Sequence, residues 1–316
     1  MIDAYALIHK QIYTIKKMKN STLLHWFYLS LLVIFWGSTF ALTKYALDVF
    51  TPLWIVALRL SIGFSIIYFI LRIRGEHLPH GFINWLWLVL VGMTAFLPFY
   101  LICWGTIYLE TNISGILFGI GPLFTVIAAH FLVPNEKLNL IKLLGIICGF
   151  LGLYVLLFKD IENSGSSSSY SSLLPQIAIL LAAIGYSIQN IAVNLMPNIS
   201  LMQKTSGSFL VGSLFALIVA ISSEGIPNIL ITDISFISVL IMGIFSTAMA
   251  SMVMFNLTKI AGPTFVSLTH YILPVYVVVL GTLLLNESIT IAQITGMIII
   301  LFGIIVTRYG SQLKKN

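Results

Sequence analysis

The side chains here that could do chemistry stand in otherwise apolar stretches. Arg59 is a permanent cation, His270 could exchange a proton near neutral pH, and Gln189 and Asn190 offer amide donors and acceptors beside Tyr186. Aromatic and hydroxyl stripes accompany them. Tyr100, Trp104 and Tyr108 recur every four residues and so share one helix face, as do Tyr186, Asn190 and Asn194, while Thr247, Ser251, Met254 and Thr258 line up at helical spacing. This is the chemistry of recognition, not of bond making. There is no H-E-x-x-H, no G-x-S-G and no phosphate-binding P-loop, and the ten acidic residues fall in or near loops and interfaces, so no carboxylate pair is placed to activate water. The chain reads as a non-enzyme with no cofactor and no metal site. Cys103 and Cys148 both fall in apolar segments, which excludes a structural disulfide and a metal cluster alike. No nucleotide-binding domain is present, so a self-contained ATP-driven pump is also excluded.

The elements that must position these groups follow from composition. With 59% hydrophobic and 8% charged residues, the chain cannot cover the surface of a soluble globule of 316 residues. Apolar stretches of about 20 residues, enough to cross the hydrocarbon layer, are placed near 26–47, 52–71, 83–107, 112–133, 138–158, 173–195, 205–223, 234–257, 263–285 and 289–308. The expected fold class is an all-α polytopic membrane protein with ten transmembrane helices. With a cytoplasmic N-terminus the inner face collects Lys10, Lys16, Lys17, Lys19, Arg72, Arg74, Lys137, Lys142, Lys204, Lys259, Arg308, Lys314 and Lys315, whereas the outer loops receive only Lys44 and Lys159. That asymmetry predicts an N-in, C-in orientation and accounts for the net charge of +6 without a nucleic-acid partner.

The last third of the chain repeats its middle. Pro122, Glu136, Gly145 and Gly152 are matched by Pro274, Glu287, Gly296 and Gly303; the spacings agree from the glutamate onward, and one extra residue, at about Pro134, separates proline from glutamate in the first copy. Five spans per half is an odd number, so the second half enters from the opposite side and the repeats are inverted, the plan of secondary transporters. The organisation is a cytoplasmic segment 1–25, a first repeat 26–158, an external serine-rich linker 159–172, a second repeat 173–308 and a cytoplasmic tail 309–316. The N-terminus lacks a signal-peptide cleavage site. Residues 1–17 read equally as an amphipathic helix on the inner leaflet or, because Met18 opens a plausible start, as no part of the native protein.

Trp36-Gly37-Ser38-Thr39-Phe40, followed by Lys44, Pro52 and Arg59, resembles the opening of the EamA-like family of the drug/metabolite transporter superfamily, and the two Pro-to-Glu-to-Gly-to-Gly segments are similar to that family's signature in each repeat. The resemblance covers about Trp26 to Arg308. It implies a ten-helix inner-membrane carrier of solutes such as amino acids or related metabolites, often exported, with a central cavity lined by helices other than the fifth and tenth. Asn286, where a small or apolar residue is common, and Pro134 depart from the pattern.

Each candidate has a packing alternative. The Ser/Thr stripes read more readily as glue between membrane helices, whereas Trp104, Gln189 and Asn190 balance between binding and packing. Arg59 either pairs with a substrate carboxylate or snorkels outward to Asp48 or to helix-end carbonyls, and its general occurrence in the family favours the second. His270 lies one turn before Pro274 and is a candidate for a coupling proton, although a neutral hydrogen-bonding histidine is commoner. His130 reads as interfacial, and Glu136 and Glu287 as caps on the N-termini of the helices that follow them. Gly145, Gly149, Gly152, Gly296 and Gly303 suit close packing of helices 5 and 10 against the bundle or a second protomer.

The resulting expectation is an alternating-access carrier, exporting an amino acid or related small metabolite across the inner membrane. Substrate binding falls to Trp36, Ser38, Trp104, Tyr108, Gln189, Asn190, His270 and Tyr271, and gating to Pro122 and Pro274. A carrier of nucleotide-derived or drug-like compounds, and a channel-like facilitator or non-transporting receptor, are the alternatives. The substrate, direction, coupling ion and oligomeric state are left open by the sequence.

Overall fold

Backbone N–H and C=O groups in hydrocarbon must be satisfied within the chain, and helices do so segment by segment. A computed structural model of the protein, described for residues 2–132, 137–163, 169–196, 199–227 and 233–312, is all-helical within those limits. Its helices are α1 (Ile2–Ala46), α2 (Pro52–Ile73), α3 (Phe82–Tyr108), α4 (Thr111–Phe118), α5 (Gly121–Leu132), α6 (Leu140–Asn163), α7 (Ser169–Leu195), α8 (Leu201–Glu224), α9 (Ile234–Ile241), α10 (Ala250–Ala261), α11 (Pro263–Val266), α12 (Thr269–Leu285) and α13 (Ile291–Gln312). A π-helical segment, Met242–Met249, joins α9 to α10 in one continuous rod. Among the described residues eight helical stretches are long and apolar enough to cross a membrane, and Leu140–Leu156 and Thr269–Leu285 are shorter apolar helices. The expectation of ten helices of similar length is met in eight of them. The structure contains no membrane against which to assign sides.

The packing follows a pseudo-two-fold rule. If α1, α2, α3, α4–α5 and α6 correspond in order to α7, α8, α9–α10, α11–α12 and α13, each principal contact has a symmetry mate. The contact of α3 with α7 is matched by that of α1 with α9 and α10. The contact of α3 with α8 is matched by α2 against the π segment, and that of α1 with α12 by α7 against α4 and α5. Helices α2 and α8, α4 and α12, and α6 and α13 pack against their own counterparts.

The α2–α8 pair displays this relation in its caps. Thr51, the N-cap of α2, accepts from the Trp54 amide and donates its hydroxyl to Glu224 at the end of α8. At the other end Ser200, the N-cap of α8, bonds Glu76 just past the end of α2 at 2.5 Å, within a capping box closed by Gln203. Each helix start is thus tied to the partner's finish, so the two run antiparallel. Both satisfy amides that would otherwise be orphaned.

Helices α6 and α13 meet along glycine. A Cβ on Gly303 would lie 2.6 Å from the Gly145 carbonyl oxygen, and one on Gly152 would lie 2.8 Å from that of Gly296. Asn139 caps α6, accepting from the Lys142 amide at 2.8 Å, and its side-chain amide reaches the Gly310 carbonyl at 2.7 Å. The two helices therefore use their glycines on each other. Small residues at a helix crossing let the backbones approach, and van der Waals contact then holds them without a hydrophobic driving force.

Gly303→Val or Gly152→Leu should push α6 and α13 apart at a cost of about 1–3 kcal/mol each. Gly121→Ala, whose nearest neighbour would be the Ala183 Cβ at 3.9 Å, should be neutral. Size-exclusion profiles after heating in detergent check this; an unchanged melting temperature for Gly303→Val would remove the crossing from the account.

Candidate functional site

The interior centres on Arg59. Two turns into α2, it is 2% exposed among Ile55, Val56 and Leu60, all buried. Its Nε donates to Thr247 Oγ1 at 3.3 Å, and its guanidinium carbon lies 4.0 Å from the centroid of the Phe99 ring on α3. Tyr186 and Cys103 are its other electrostatic neighbours. The expectation that Arg59 snorkels outward to Asp48 is therefore corrected, because its side chain runs into the protein. A ring face offers a cation partial negative charge in place of water.

The helix geometry explains these partners. Thr247 lies in the π segment, where its hydroxyl donates to the Met242 carbonyl at 3.0 Å, five residues back, and can still accept from Arg59. Gly63, one turn on from Arg59, makes room for it: a Cβ there would lie 2.6 Å from the Thr247 methyl. On α3, Phe99, Cys103 and Thr106 occupy one face, offset from Tyr100, Trp104 and Tyr108. Thr43 of α1 donates to the Thr39 carbonyl at 2.7 Å and reaches the Met242 sulfur at 3.6 Å.

An aromatic chain leads from the cation across the bundle. Phe99 meets Tyr186 edge-on at 5.6 Å, Tyr186 meets Phe118 at 5.2 Å, and Phe118 meets Phe40 at 5.9 Å. Five helices, α1, α2, α3, α4 and α7, thereby converge on one cluster. Edge-to-face pairs set positively polarised ring edges against negative faces and fix the angle of approach.

The structure brings together some of the residues singled out in the sequence. Trp36 and Tyr271 pack, with Tyr186, against the same core of Phe40, Leu123 and Leu273. The hydroxyls of Ser38 and Tyr276 lie 3.3 Å apart, joining α1 to α12. Trp104 stacks edge-on against Tyr108 at 5.2 Å, but Tyr108 is 59% exposed. Gln189 is half-buried and Asn190 exposed, on successive faces of α7. His270 is half-buried at the start of α12, and Tyr271 faces Arg308 of α13, 5.8 Å from ring centroid to guanidinium carbon. Pro122 is the second residue of α5, directly after the interruption at Gly119–Ile120. Pro274 lies inside α12, and the corresponding interruption is at Ser267–Leu268. Sequence reasoning passed over Phe99, Phe118, Thr43 and Tyr276. The signal available was the Phe99–Cys103–Thr106 stripe at helical spacing, of which Phe99 and Cys103 are neighbours of Arg59.

At the end of the bundle carrying Asp48, Glu287 accepts from the amides of Thr111 and Asn112 at 2.6 and 2.9 Å. The Asn112 side chain, oriented by its hydrogen bonds, donates to Val278 O at 3.1 Å and to Glu287 at 3.3 Å. A carboxylate on the exposed N–H groups of a helix start is favourable in charge and geometry. The helix it caps is α4, in the other repeat, and not the following α13. Thr290 caps α13, accepting from the Gln293 amide at 3.1 Å. Asn286 takes a left-handed conformation with φ 53° to end α12. Asparagine tolerates that conformation, which accounts for the departure noted in the sequence. Glu136 and Pro134 lie outside the described residues. Lys44 is within electrostatic reach of Glu287, Glu110 and Asp48. It lines a cavity of about 450 Å³ with Asp48, Phe50, Thr51 and Thr106.

The EamA-like transporter family model matches residues 23–158 and 173–309. The uncharacterized transporter YoaV of Bacillus subtilis is 27% identical over 290 residues, spanning 89% of this chain and 96% of its own. An uncharacterized transporter of Archaeoglobus fulgidus is 26% identical, covering 88% and 96%. A WAT1-related chloroplastic protein of Arabidopsis thaliana is 25% identical, covering 92% of this chain and 70% of its own. A solved crystal structure superposes with a TM-score of 0.65 at 19% identity, over 93% of this chain and 99% of that one, a likeness of fold.

Glu287→Ala should leave the Thr111 and Asn112 amides without their acceptor and cost about 1–3 kcal/mol, with Glu287→Gln losing less because it keeps one acceptor oxygen. Thermal unfolding in detergent reads the order wild type, Gln, Ala; an alanine variant as stable as wild type would remove the cap.

Proposed function

Because the chain belongs to the EamA-like transporter family of the drug/metabolite transporter superfamily, we propose that this multi-pass membrane protein is a secondary carrier exporting a small organic metabolite, an amino acid or related compound, across the inner membrane. The observation that carries the reading is the pseudo-two-fold packing about an interior cation, with the reciprocal caps of α2 and α8 at its axis. Two halves related in this way can close either end over the same centre, which is the requirement of alternating access.

In this reading the two shorter apolar helices complete ten spans, divided into repeats 26–158 and 173–308, with both termini on the cytoplasmic side. The glycine-packed α6 and α13 stay together, while the interrupted rods α4–α5 and α11–α12 bend at Gly119–Ile120 and Ser267–Leu268. Pro122 and Pro274 limit where those rods can continue as helix. Trp36, Ser38, Gln189, His270 and Tyr271 line the solute's path, and an apolar, aromatic enclosure suits a small zwitterion. His270, beside the second interruption, is the candidate for a coupling proton.

The test is efflux from liposomes loaded with a mixed amino-acid and metabolite pool, followed by mass spectrometry with and without a pH gradient. Wild type is expected to release a few members selectively and saturably, and Trp36→Ala to reduce that release at least about tenfold. Gradient dependence lost in His270→Gln would assign the proton. Release of nothing from the pool by folded, inserted protein would overturn the amino-acid reading.

A further inference from the structure

We infer that Arg59 is the point at which the carried solute is recognised, its guanidinium taking a carboxylate of the solute at the centre of the bundle. The inference rests on the carrier reading above and adds the chemical group that the carrier selects: carboxylates and zwitterions, to the exclusion of cations.

An arginine in the interior of a membrane bundle is unfavourable by about 2.5–3.5 kcal/mol on insertion scales, and such residues normally pair with another ionisable group or with backbone carbonyls. Here the acids whose side chains are described are engaged or placed elsewhere. Glu76 holds Ser200, Glu224 holds Thr51, Asp233 caps α9 through the Ser235 amide, and Glu287 caps α4. Asp48 and Glu110 stand near Lys44. Among the described residues Arg59 has one hydrogen bond, from Nε to Thr247, and one ring, Phe99. A threonine hydroxyl and a phenyl face orient a guanidinium but carry no formal charge to neutralise it.

The orientation matters as much as the charge. With Nε committed to Thr247, the edge formed by the two Nη groups has no acceptor among the described residues. That edge presents two parallel N–H donors at the spacing of carboxylate oxygens, a geometry that an ammonium or a single hydroxyl cannot match. Phe99 and Thr247 hold the fork from two directions, so the side chain loses little freedom when an anion arrives. The neighbours Tyr186 and Cys103 are uncharged in their ordinary forms and would not compete.

In this inference the solute's route to the Nη edge starts at the Lys44 end. The cavity of about 450 Å³ is lined by Lys44 and, deeper, by Thr106 of α3. Cys103, a neighbour of Arg59, is the next residue on the same face of α3. Lys44 at the mouth stands among the carboxylates of Asp48, Glu110 and Glu287, so the charge that favours an anion over a drug-like cation is Arg59 at depth. Because Arg59 is 2% exposed, the structure holds the inner end of this route closed.

The experiment uses full-length protein in liposomes loaded with the amino acids and, at equal concentration, their α-carboxamides, with efflux of both followed by mass spectrometry. In wild type, each transported amino acid should leave at least about thirtyfold faster than its amide, the lower end for a buried charge left unpaired. Arg59→Gln should bring acid and amide within about threefold of each other, whereas Arg59→Lys should keep part of the preference. A purely structural Arg59 would slow both together and leave their ratio unchanged, which overturns the inference. Equal export of acids and amides by wild type overturns it too, while leaving the carrier reading intact. Export of neither by folded protein overturns that reading and the inference with it. Should Arg59→Gln fail to give monodisperse protein, Thr247→Val, which removes the Nε acceptor together with the bond to the Met242 carbonyl, is expected to lower the ratio, and the wild-type comparison decides without any variant.

Discussion

A guanidinium enclosed among apolar helices is the constraint around which this structure is arranged. Water cannot reach Arg59, so its surroundings must supply polarity from the protein itself, and they do so from several helices at once. Thr247 gives an oxygen from the second repeat, Phe99 a ring face from α3, and Gly63 the space for Thr247 to come close. The π segment of Met242–Met249 belongs to the same arrangement. Its wider turn sends the Thr247 hydroxyl back to the Met242 carbonyl, and such segments occur frequently at functional sites because a regular α-helix would aim the side chain elsewhere. Arg59 and Thr247 belong to different repeats, so the surroundings of the charge depend on how the two halves pack.

Around that centre the contacts divide into those that hold and those that can give. The α6–α13 crossing is backbone against backbone along five glycines, with little room for sliding. The α2–α8 pair is tied at both ends by a hydroxyl and a carboxylate. By contrast, α4–α5 and α11–α12 are each interrupted near a proline, and they meet where Gly115 faces Val277 and Gly119 faces Pro274. Glu287 closes that pair at one end by capping α4 from the opposite repeat, in a bond made of one carboxylate and two amides. A contact of that kind is made or broken as a unit, unlike a packed core.

Much of the fold was legible in the sequence. Hydropathy placed the apolar segments, and the Pro-Glu-Gly-Gly repeat gave the correspondence that the contacts obey. The glycines marked α6 and α13 as close-packing helices, although not that their partners were each other. Among the site residues, Trp36, Ser38 and Tyr271 fell on packed interior faces. Tyr108 and Asn190 satisfied the same helical spacing yet lie exposed. Helical period says which residues share a face and is silent on which face turns inward. Glu287 was recognised as a cap, but the helix it serves could not be read from order along the chain, since nearness in sequence favoured α13 over α4.

What the sequence determined by itself, then, is a membrane-embedded all-helical chain, built twice, with one arginine and one histidine deep in apolar stretches. Those properties reside in single segments and in their recurrence. Only the tertiary structure decided where Arg59 points and what holds it. Its hydrogen-bond partner is 188 residues away, and no local pattern encodes a contact between two helices that meet only after the halves have packed. The sequence weighed an exposed, snorkelling arginine against an interior one, and burial of α2 between α3, α8 and the π segment settled the direction. A side chain surrounded on those sides has no short path to water, and the Thr247 hydroxyl and the face of Phe99 were the polar surfaces within its reach.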